Sequence, residues 1–333
     1  MRKNKTLLID GNALFKTAYY GVKYTSYKGE KIGGIFASIN MIRKFINENA
    51  VNKVVVMWDG DDGIRSRVKI YPDYKIRRRN SEPMSEQDRI NFEFQKLRIK
   101  EYLEELFIRQ YITQDCESDD AIAYYVHHRK PDESILIVTN DRDILQLLSE
   151  DVNVYLLDKK YIINPNNFQM FFPYHYKNVK LIKIITGDKS DSIHGIHGLG
   201  NDTAIGKLID LVPEIRTREV QLDEVFAACE EKKDETICKN ILTGKAPSGI
   251  FGMEFYQINE QIINLEKPLI GGEDEKNVEL ILNEKLNPEN RRYKNLLKMM
   301  VADGTIKLIP GQIERWEEFV QPFIKIIRNE KYK

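Results

Sequence analysis

The chain is expected to fold as an α/β protein around a mostly parallel central sheet flanked by helices. Two observations lead there. Over the first 160 residues, short β-rich runs alternate with longer helical patterns, as β-α units require. Acidic residues also recur where those runs end, and the C-terminal ends of parallel strands share one edge. Strands are expected near residues 5 to 10, 53 to 59, 110 to 113, 134 to 139 and 152 to 157. Helices are expected near 33 to 48, 85 to 109, 117 to 130, 142 to 149 and 177 to 186. The runs Thr6-Leu7-Leu8-Ile9, Val54-Val55-Val56-Met57-Trp58 and Ile135-Leu136-Ile137-Val138 carry the strand signal. Ser85 is a cap candidate with Asp88 near the third position, and Ile90, Phe94 and Leu97 mark one apolar face of the helix that follows.

Residues 60 to 84 break the alternation. Gly60, Gly63, Pro72 and Pro83 punctuate a polar segment too long for an ordinary connection, which suggests a functional insertion at the mouth of the sheet. After Ile185 the pattern changes to helices separated by glycine-rich turns, most clearly Gly195-Ile196-His197-Gly198-Leu199-Gly200, and a boundary is placed there. Gly271-Gly272 with Glu273-Asp274-Glu275 suggests a surface loop, followed by helices around 288 to 303 and 311 to 329. On the last of these, Trp316, Phe319, Phe323 and Ile326 are spaced as a helix face packed on the core.

The 333 residues suit one large α/β unit with an appended module. Lys+Arg and Asp+Glu are balanced at 51 each, so nucleic-acid affinity would have to come from local patches. One such patch runs from Arg65 to Arg79, with seven basic residues against the single Asp73. Cys116, Cys229 and Cys238 lack CxxC spacing, which argues against zinc or a disulfide framework and for a reducing compartment, by default the cytoplasm. Asp10 and Asn12 interrupt the first apolar stretch, so it is not a signal peptide, and no run approaches a membrane span.

Nine acids in five clusters carry the chemistry: Asp10; Asp59; Glu117, Asp119 and Asp120; Asp141 and Asp143; Asp188 and Asp191. Singly, an Asp after a strand ordinarily caps a turn or helix, and acids at a helix start complement its dipole. Five clusters in this placement are hard to explain by capping. Two carboxylates about 4 Å apart repel by roughly 4 kcal/mol at an effective dielectric near 20. Oxygen-only ligands point to magnesium, or manganese in its place, and a pair of such ions can activate a water and stabilise a departing oxygen in phosphodiester cleavage.

The strings Ile9-Asp10-Gly11-Asn12, Trp58-Asp59-Gly60, Glu117-Ser118-Asp119-Asp120, Thr139-Asn140-Asp141-Arg142-Asp143 and Gly187-Asp188-Lys189-Ser190-Asp191, with the glycine turn after them, resemble in order the motifs of the 5′-nuclease (flap endonuclease-like) family. That family includes the nuclease domain of bacterial DNA polymerase I and stand-alone phage 5′ to 3′ exonucleases and ribonucleases H. The resemblance covers roughly residues 5 to 210. It implies a PIN-like nuclease core over 1–186 with a helical arch about 60–108, and a helical DNA-binding region over 187–333 with a helix-three-turn-helix about 187–212.

It further implies a first metal site of Asp10, Asp59, Glu117 and Asp119 and a second of Asp188 and Asp191, with Asp120, Asp141 and Asp143 completing or bridging the pair. Tyr71-Pro72-Asp73-Tyr74-Lys75-Ile76-Arg77-Arg78 resembles the family's gateway element, which makes Lys75 and Arg78 phosphate-directed and lets Tyr74 stack on a base. Lys183 resembles a basic residue near the metals. Arg65, Arg67, Arg77 and Arg79 are expected at the DNA backbone. The turn of Gly195, Gly198 and Gly200 before Thr203 is expected to bind duplex, helped by a potassium ion; Asp202, where the family commonly has a basic residue, weakens that grip. His194 and His197 are expected to be turn residues.

The implied function is a magnesium-dependent nuclease that removes 5′ flaps or RNA primers near nicks and junctions in replication, acting as a monomer alone or beside a separate polymerase or single-strand DNA-binding protein, in the host cytoplasm for a phage-encoded chain. A noncatalytic DNA-junction binder on the same scaffold would have no reason to keep nine mutually repelling acids. A small PIN-type ribonuclease would lack the gateway, the glycine turn and the length.

Overall fold

The structure is a computed structural model that describes residues 4–23, 29–80, 84–199, 203–283 and 293–331. Its main sheet has six strands: β1 (Asn4–Asp10), β2 (Lys53–Trp58), β3 (Arg109–Ile112), β4 (Glu133–Thr139), β5 (Val152–Leu156) and β6 (Tyr161–Ile163). Their order is β3-β2-β1-β4-β5-β6. All neighbours are parallel except β5 and β6. Strand order reverses at β1, which pairs with β2 on one side and β4 on the other, so a crevice opens beyond its C-terminal end.

Alternation divides the strand side chains between two cores. Leu8, Val55, Met57, Ile135 and Ile137 face one layer, while Leu7, Ile9, Val54, Val56, Trp58, Leu136 and Val138 face the other. The second layer is built by α1 (Gly11–Gly21), α2 (Gly33–Asn49) and α5 (Glu86–Glu105). Between β2 and α5 stand the short α3 (Arg65–Ile70) and α4 (Ile76–Arg79), where the insertion was expected. The first layer begins with α6 (Ser118–His127) and continues with a 3-10 turn at Asp143–Leu147 and α7 (Val179–Thr186).

Beyond α7 a two-stranded hairpin, β7 (Gly187–Asp188) with β8 (Ile193–His194), leads to α8 (Ala204–Leu211), α9 (Leu222–Glu231), α10 (Thr236–Leu242), α11 (Gly252–Ile263) and α12 (Gly272–Asn283). These continue the first core. The last two helices, α13 (Tyr293–Asp303) and α14 (Trp316–Lys331), return to the opposite face. There Asp303 accepts from Arg98 at 2.8 Å and Tyr102 at 2.7 Å, and Phe319 stacks on Phe36. Trp316, Phe319, Phe323 and Ile326 are buried as their spacing predicts. Among the described residues no helix is long and apolar enough to cross a membrane.

Several expectations are corrected. Helix α1, β6 and the β7–β8 hairpin were not anticipated, and the helix expected over 142 to 149 is a single 3-10 turn. The apolar stripe of α5 does not face the core: Ile90, Phe94 and Leu97 are 52%, 44% and 59% exposed. Gln95 turns inward instead, with Ile99, Tyr102 and Leu103, because its Oε1 accepts the first-turn amide of Ile35 at 3.2 Å. Glu273-Asp274-Glu275 is no loop but the first turn of α12. Asp274 is buried there and accepts the amides of Gln114 and Asp115 at 2.8 and 3.0 Å, which fixes the turn before α6.

Candidate active site

The crevice at the β1 switch point is a cleft of about 740 Å³ lined by Asp10, Asp59, Glu117, Asp119, Asp141 and Asp188 together with Lys75, Arg78 and Lys183. Each acid is delivered by a strand end or helix start. Asp10 closes β1 and caps α1, its Oδ1 accepting the amide of Ala13 at 2.9 Å and its Oδ2 the hydroxyl of Thr139 at 2.8 Å. The start of α1 can lie this close to β2 because residue 11 is glycine: a Cβ there would lie 2.5 Å from the Trp58 ring. Asp59 follows β2 and accepts the amide of Ser118 at 2.7 Å and the side-chain amide of Asn12. Asp141 follows β4 and accepts the amide of Asp143 at 2.8 Å. Asp188 lies in the β7–β8 hairpin, where both the amide and the hydroxyl of Ser190 donate to it at 2.7 Å.

Capping and convergence therefore coexist. The hydrogen bonds that make Asp10 a cap also hold its carboxylate at the cleft.

The electrostatic cost of the gathering is visible in the protonation equilibria. Burial first, then the carboxylates of Asp59 and Asp141, push Asp10 up to about 7 against the opposing hydrogen bonds of Ala13 and Thr139. Asp119 is driven well above the carboxylate range by burial and then by Asp141, Asp10, Asp59 and Glu117. Burial also pushes Asp143 up to about 7, despite Lys183. Two acids go the other way. Asp59 is held low although it is buried, because Ser118, Asn12 and Lys75 outweigh desolvation, and Asp188 is held low by Lys183 and Ser190 against the same opposing burial. Lys183 stays charged far above its usual range because Asp143, Asp188 and Asp141 overcome its burial.

Among the described residues, no three acidic, His or Cys side chains already stand as a ready cage for one ion. Two ammonium groups occupy the acids instead: Lys75 is on Glu117, and Lys183 contacts both Asp143 and Asp188, the latter at 2.6 Å. The donor chemistry nevertheless fits hard divalent cations. The lining holds carboxylate and amide oxygens with neither His nor Cys, two of its carboxyls resist ionisation because they are buried and face other carboxylates, and the buried Asn12 Oδ1 accepts no hydrogen bond.

Not every expected residue faces the cleft. Asp120 is fully buried and turned away, with its carboxylate gripped by the buried Arg67. This corrects two expectations, since neither the acid nor the arginine is presented to a ligand. Tyr74 is corrected as well: it is 3% exposed and its hydroxyl donates to Glu117 at 2.6 Å, leaving no ring face for a base. Asp191 is buried behind the lining, 3.1 Å from Arg78, while its backbone carbonyl accepts the amide of Lys75 at 2.7 Å. Asp143 also sits behind the lining, on Lys183.

Arg65, Arg77 and Arg79 are at the surface, with Arg65 paired to Asp62 at 2.9 Å. Gly195 packs against the end of α7, and Gly198 takes a left-handed φ of 90° with open space around it. Thr203 opens α8, whereas Gly200 and Asp202 lie outside the described residues. Of the two histidines expected in turns, His197 is one, its amide donating to Lys245 and its carbonyl accepting from Asn240, whereas His194 ends β8 opposite Gly187. Missed from sequence were Asn12, Lys16, Asn140 and Arg142, which also line the cleft. Asn12 was legible as part of the Asp10 string, and Asn140 and Arg142 as part of the Asp141 string; Lys16 carries no signal of its own.

Such a cleft of acids and lysines, at the switch point of a parallel sheet, defines a site for an anionic substrate managed through countercharge. Residues 5–172 match the model of the 5′-3′ exonuclease N-terminal resolvase-like domain, and the chain belongs to that nuclease family. It is 27% identical over 300 residues to a 5′-3′ exonuclease of Mycoplasmopsis pulmonis, covering 88% of this chain and 93% of that one. Over 236 residues it is 27% identical to DNA polymerase I of Caldicellulosiruptor bescii, 68% of this chain but 27% of the polymerase, so it spans about a quarter of that relative. The bacteriophage T5 5′-exonuclease with bound zinc has the same fold, with a TM-score of 0.61 at 13% identity over 97% of this chain and 100% of that one. A T5 flap endonuclease complex with DNA and metal ions superposes with a TM-score of 0.54, also at 13% identity, over 98% and 100%.

Proposed function

We propose that the protein is a divalent-metal-dependent, structure-specific 5′-nuclease that hydrolyses phosphodiester bonds of DNA or RNA-primed 5′ ends and flaps during replication. The observation that carries this reading is the convergence on one cleft of carboxylates from five separate segments, with Lys75, Arg78 and Lys183 among them. Asp10, Asp59, Glu117, Asp119, Asp141 and Asp188 are the residues that would hold two magnesium ions, or manganese in their place. Asp143 and Asp191 would join from just behind the lining.

Bound there, the ions supply charge neutralisation and activation of a water for attack on phosphorus. The protein's own groups do the rest. Lys75 and Arg78 stand at the cleft wall and offset charge that develops on the phosphate oxygens. Lys183 anchors Asp143 and Asp188. The surface arginines Arg65, Arg77 and Arg79 and the turn around Gly195 and Gly198 would hold backbone phosphates away from the cut, joined by Gly200, Thr203 and a potassium ion as the family resemblance implies. DNA with a 5′ flap, a nick or an RNA primer is the substrate class.

The test is incubation of 5′-labelled flap, nicked and RNA-primed duplexes with magnesium, with EDTA as control. Asp141→Asn and Asp188→Asn should retain duplex binding while turnover drops by about three orders of magnitude or more, as loss of several kcal/mol of transition-state stabilisation requires. Cleavage that persists in EDTA, or at wild-type rates in both variants, would refute the reading.

A further inference from the structure

Arg67 belongs by sequence to a basic, DNA-facing segment, yet it makes a closed buried network. Its guanidinium grips both carboxylate oxygens of Asp120, at 3.0 Å on Oδ1, and its Nε donates to the carbonyl of Ile262 at 2.9 Å. The same guanidinium lies 3.2 Å from Glu117 Oε2. Asp120 then accepts two backbone amides, Glu117 at 3.3 Å and Leu269 at 2.9 Å. The Tyr74 ring lies 5.8 Å from the guanidinium carbon, and its hydroxyl donates to the same Glu117 oxygen at 2.6 Å. The capping box at the start of α6 is thus clamped from outside, and that first turn carries both Glu117 and Asp119 into the cleft.

A buried ion pair is a weak stabiliser, because desolvating both ions cancels most of their attraction, and apolar replacements of similar size are often as stable. What a planar bidentate pair supplies is fixed geometry. We propose that Arg67 is a positioning residue: through Asp120 and Tyr74 it sets the carboxylates of Glu117 and Asp119 for ion binding, with residues 262–269 as the outer wall of the device. This rests on the reading of the cleft as a divalent-ion site. It also gives a task to a stretch outside residues 5–172, the part that matches the family model.

The test uses the full chain as wild type, Arg67→Met, Arg67→Lys, the double variant Arg67→Met/Asp120→Met, and Tyr74→Phe. Three quantities are measured: melting in EDTA, magnesium binding by isothermal titration calorimetry well below each melting point, and the magnesium dependence of cleavage. Arg67→Met should melt lower, since it strands a buried carboxylate. The double variant, with no unpaired charge, should recover most of that melting temperature while its magnesium dissociation constant stays about 10-fold or more weaker than wild type. Tyr74→Phe, which removes only the hydroxyl that bonds Glu117 at 2.6 Å and Asp191 at 3.3 Å, should weaken magnesium several-fold with little change in melting. Arg67→Lys should fail to rescue binding, because an ammonium cannot make the fork.

Magnesium affinity that recovers along with stability in the double variant would overturn the proposal and leave Arg67 a structural residue. If the double variant does not fold, wild-type affinity in Tyr74→Phe would overturn it equally. A wild-type chain that neither binds magnesium nor cleaves would remove the ion-site reading itself, and this inference with it.

Discussion

Replacing Lys183 with Met removes the ammonium that holds Asp143 and Asp188 together. The Lys183–Asp188 contact is 2.6 Å, a separation at which unit charges attract by roughly 6 kcal/mol at an effective dielectric near 20. Desolvation cancels part of this. Removing one partner of a buried pair typically costs about 3 to 5 kcal/mol, and the lysine side chain, still 18% exposed, belongs near the lower figure. In EDTA the variant should therefore lose about 3 kcal/mol, or ~4 °C in melting temperature for a chain of this size. Saturating magnesium should close most of that gap: an ion at 100 times its dissociation constant adds about 2.7 kcal/mol, and in the variant it need not first displace the lysine. Differential scanning fluorimetry with and without magnesium reads both numbers. Equal melting of the two proteins in EDTA, or a gap that magnesium leaves unchanged, would refute the view that Lys183 supplies the metal-free countercharge.

Metal-free stability should fall as pH rises from about 4 to about 7. Asp10 and Asp143 have folded-state values near 7, above the unfolded carboxyl value, so the folded state binds more protons in that window and loses ground as they leave. Asp59 and Asp188 are shifted the other way, and their stabilising contribution is lost only at pH below that range. Urea titrations at pH 5, 6, 7 and 8 in EDTA check this, and saturating magnesium should flatten the slope. Gly11→Ala should cost about 1 to 3 kcal/mol, because its Cβ would press on the fully buried Trp58 ring; a neutral result in the same titration would contradict the packing. Phe94→Ser with Leu97→Ser should change stability by less than about 0.5 kcal/mol each, since both side chains face solvent.

How far the sequence could be read depended on whether a residue's fate was set locally. The continuous apolar runs of β1, β2 and β4 are buried on both faces, as helices covering both sides of a parallel sheet demand, so strands and sheet edge were legible. So were the acids at the strand ends. Partnership over long sequence distance was not. Arg67 and Asp120 are 53 positions apart, and Asp120 and Leu269 are 149 apart; no local pattern distinguishes an arginine destined for a buried carboxylate from its exposed neighbours Arg65 and Arg79. Ile90, Phe94 and Leu97 misled for the converse reason. Helical spacing shows that three apolar residues share a face, but the direction of that face is decided by what lies opposite, here the hydrogen bond from α2 to Gln95.

The same asymmetry explains how nine acids are tolerated near one another without ions. Each has local or distant donors suited to its depth. Exposed Ser190 serves Asp188 through two hydrogen bonds, Thr139 and Ala13 serve Asp10, and the deepest acid, Asp120, takes a full guanidinium. Asp119 is the exception, since burial and then the carboxylates of Asp141, Asp10, Asp59 and Glu117 raise it well above the carboxylate range. A cation would relieve that repulsion, and the carboxylate concerned is carried by the first turn of α6. That turn is also where Arg67, Tyr74 and residues 262–269 apply the brace, which ties the electrostatic demand of the cleft to Leu269, 149 residues beyond Asp120.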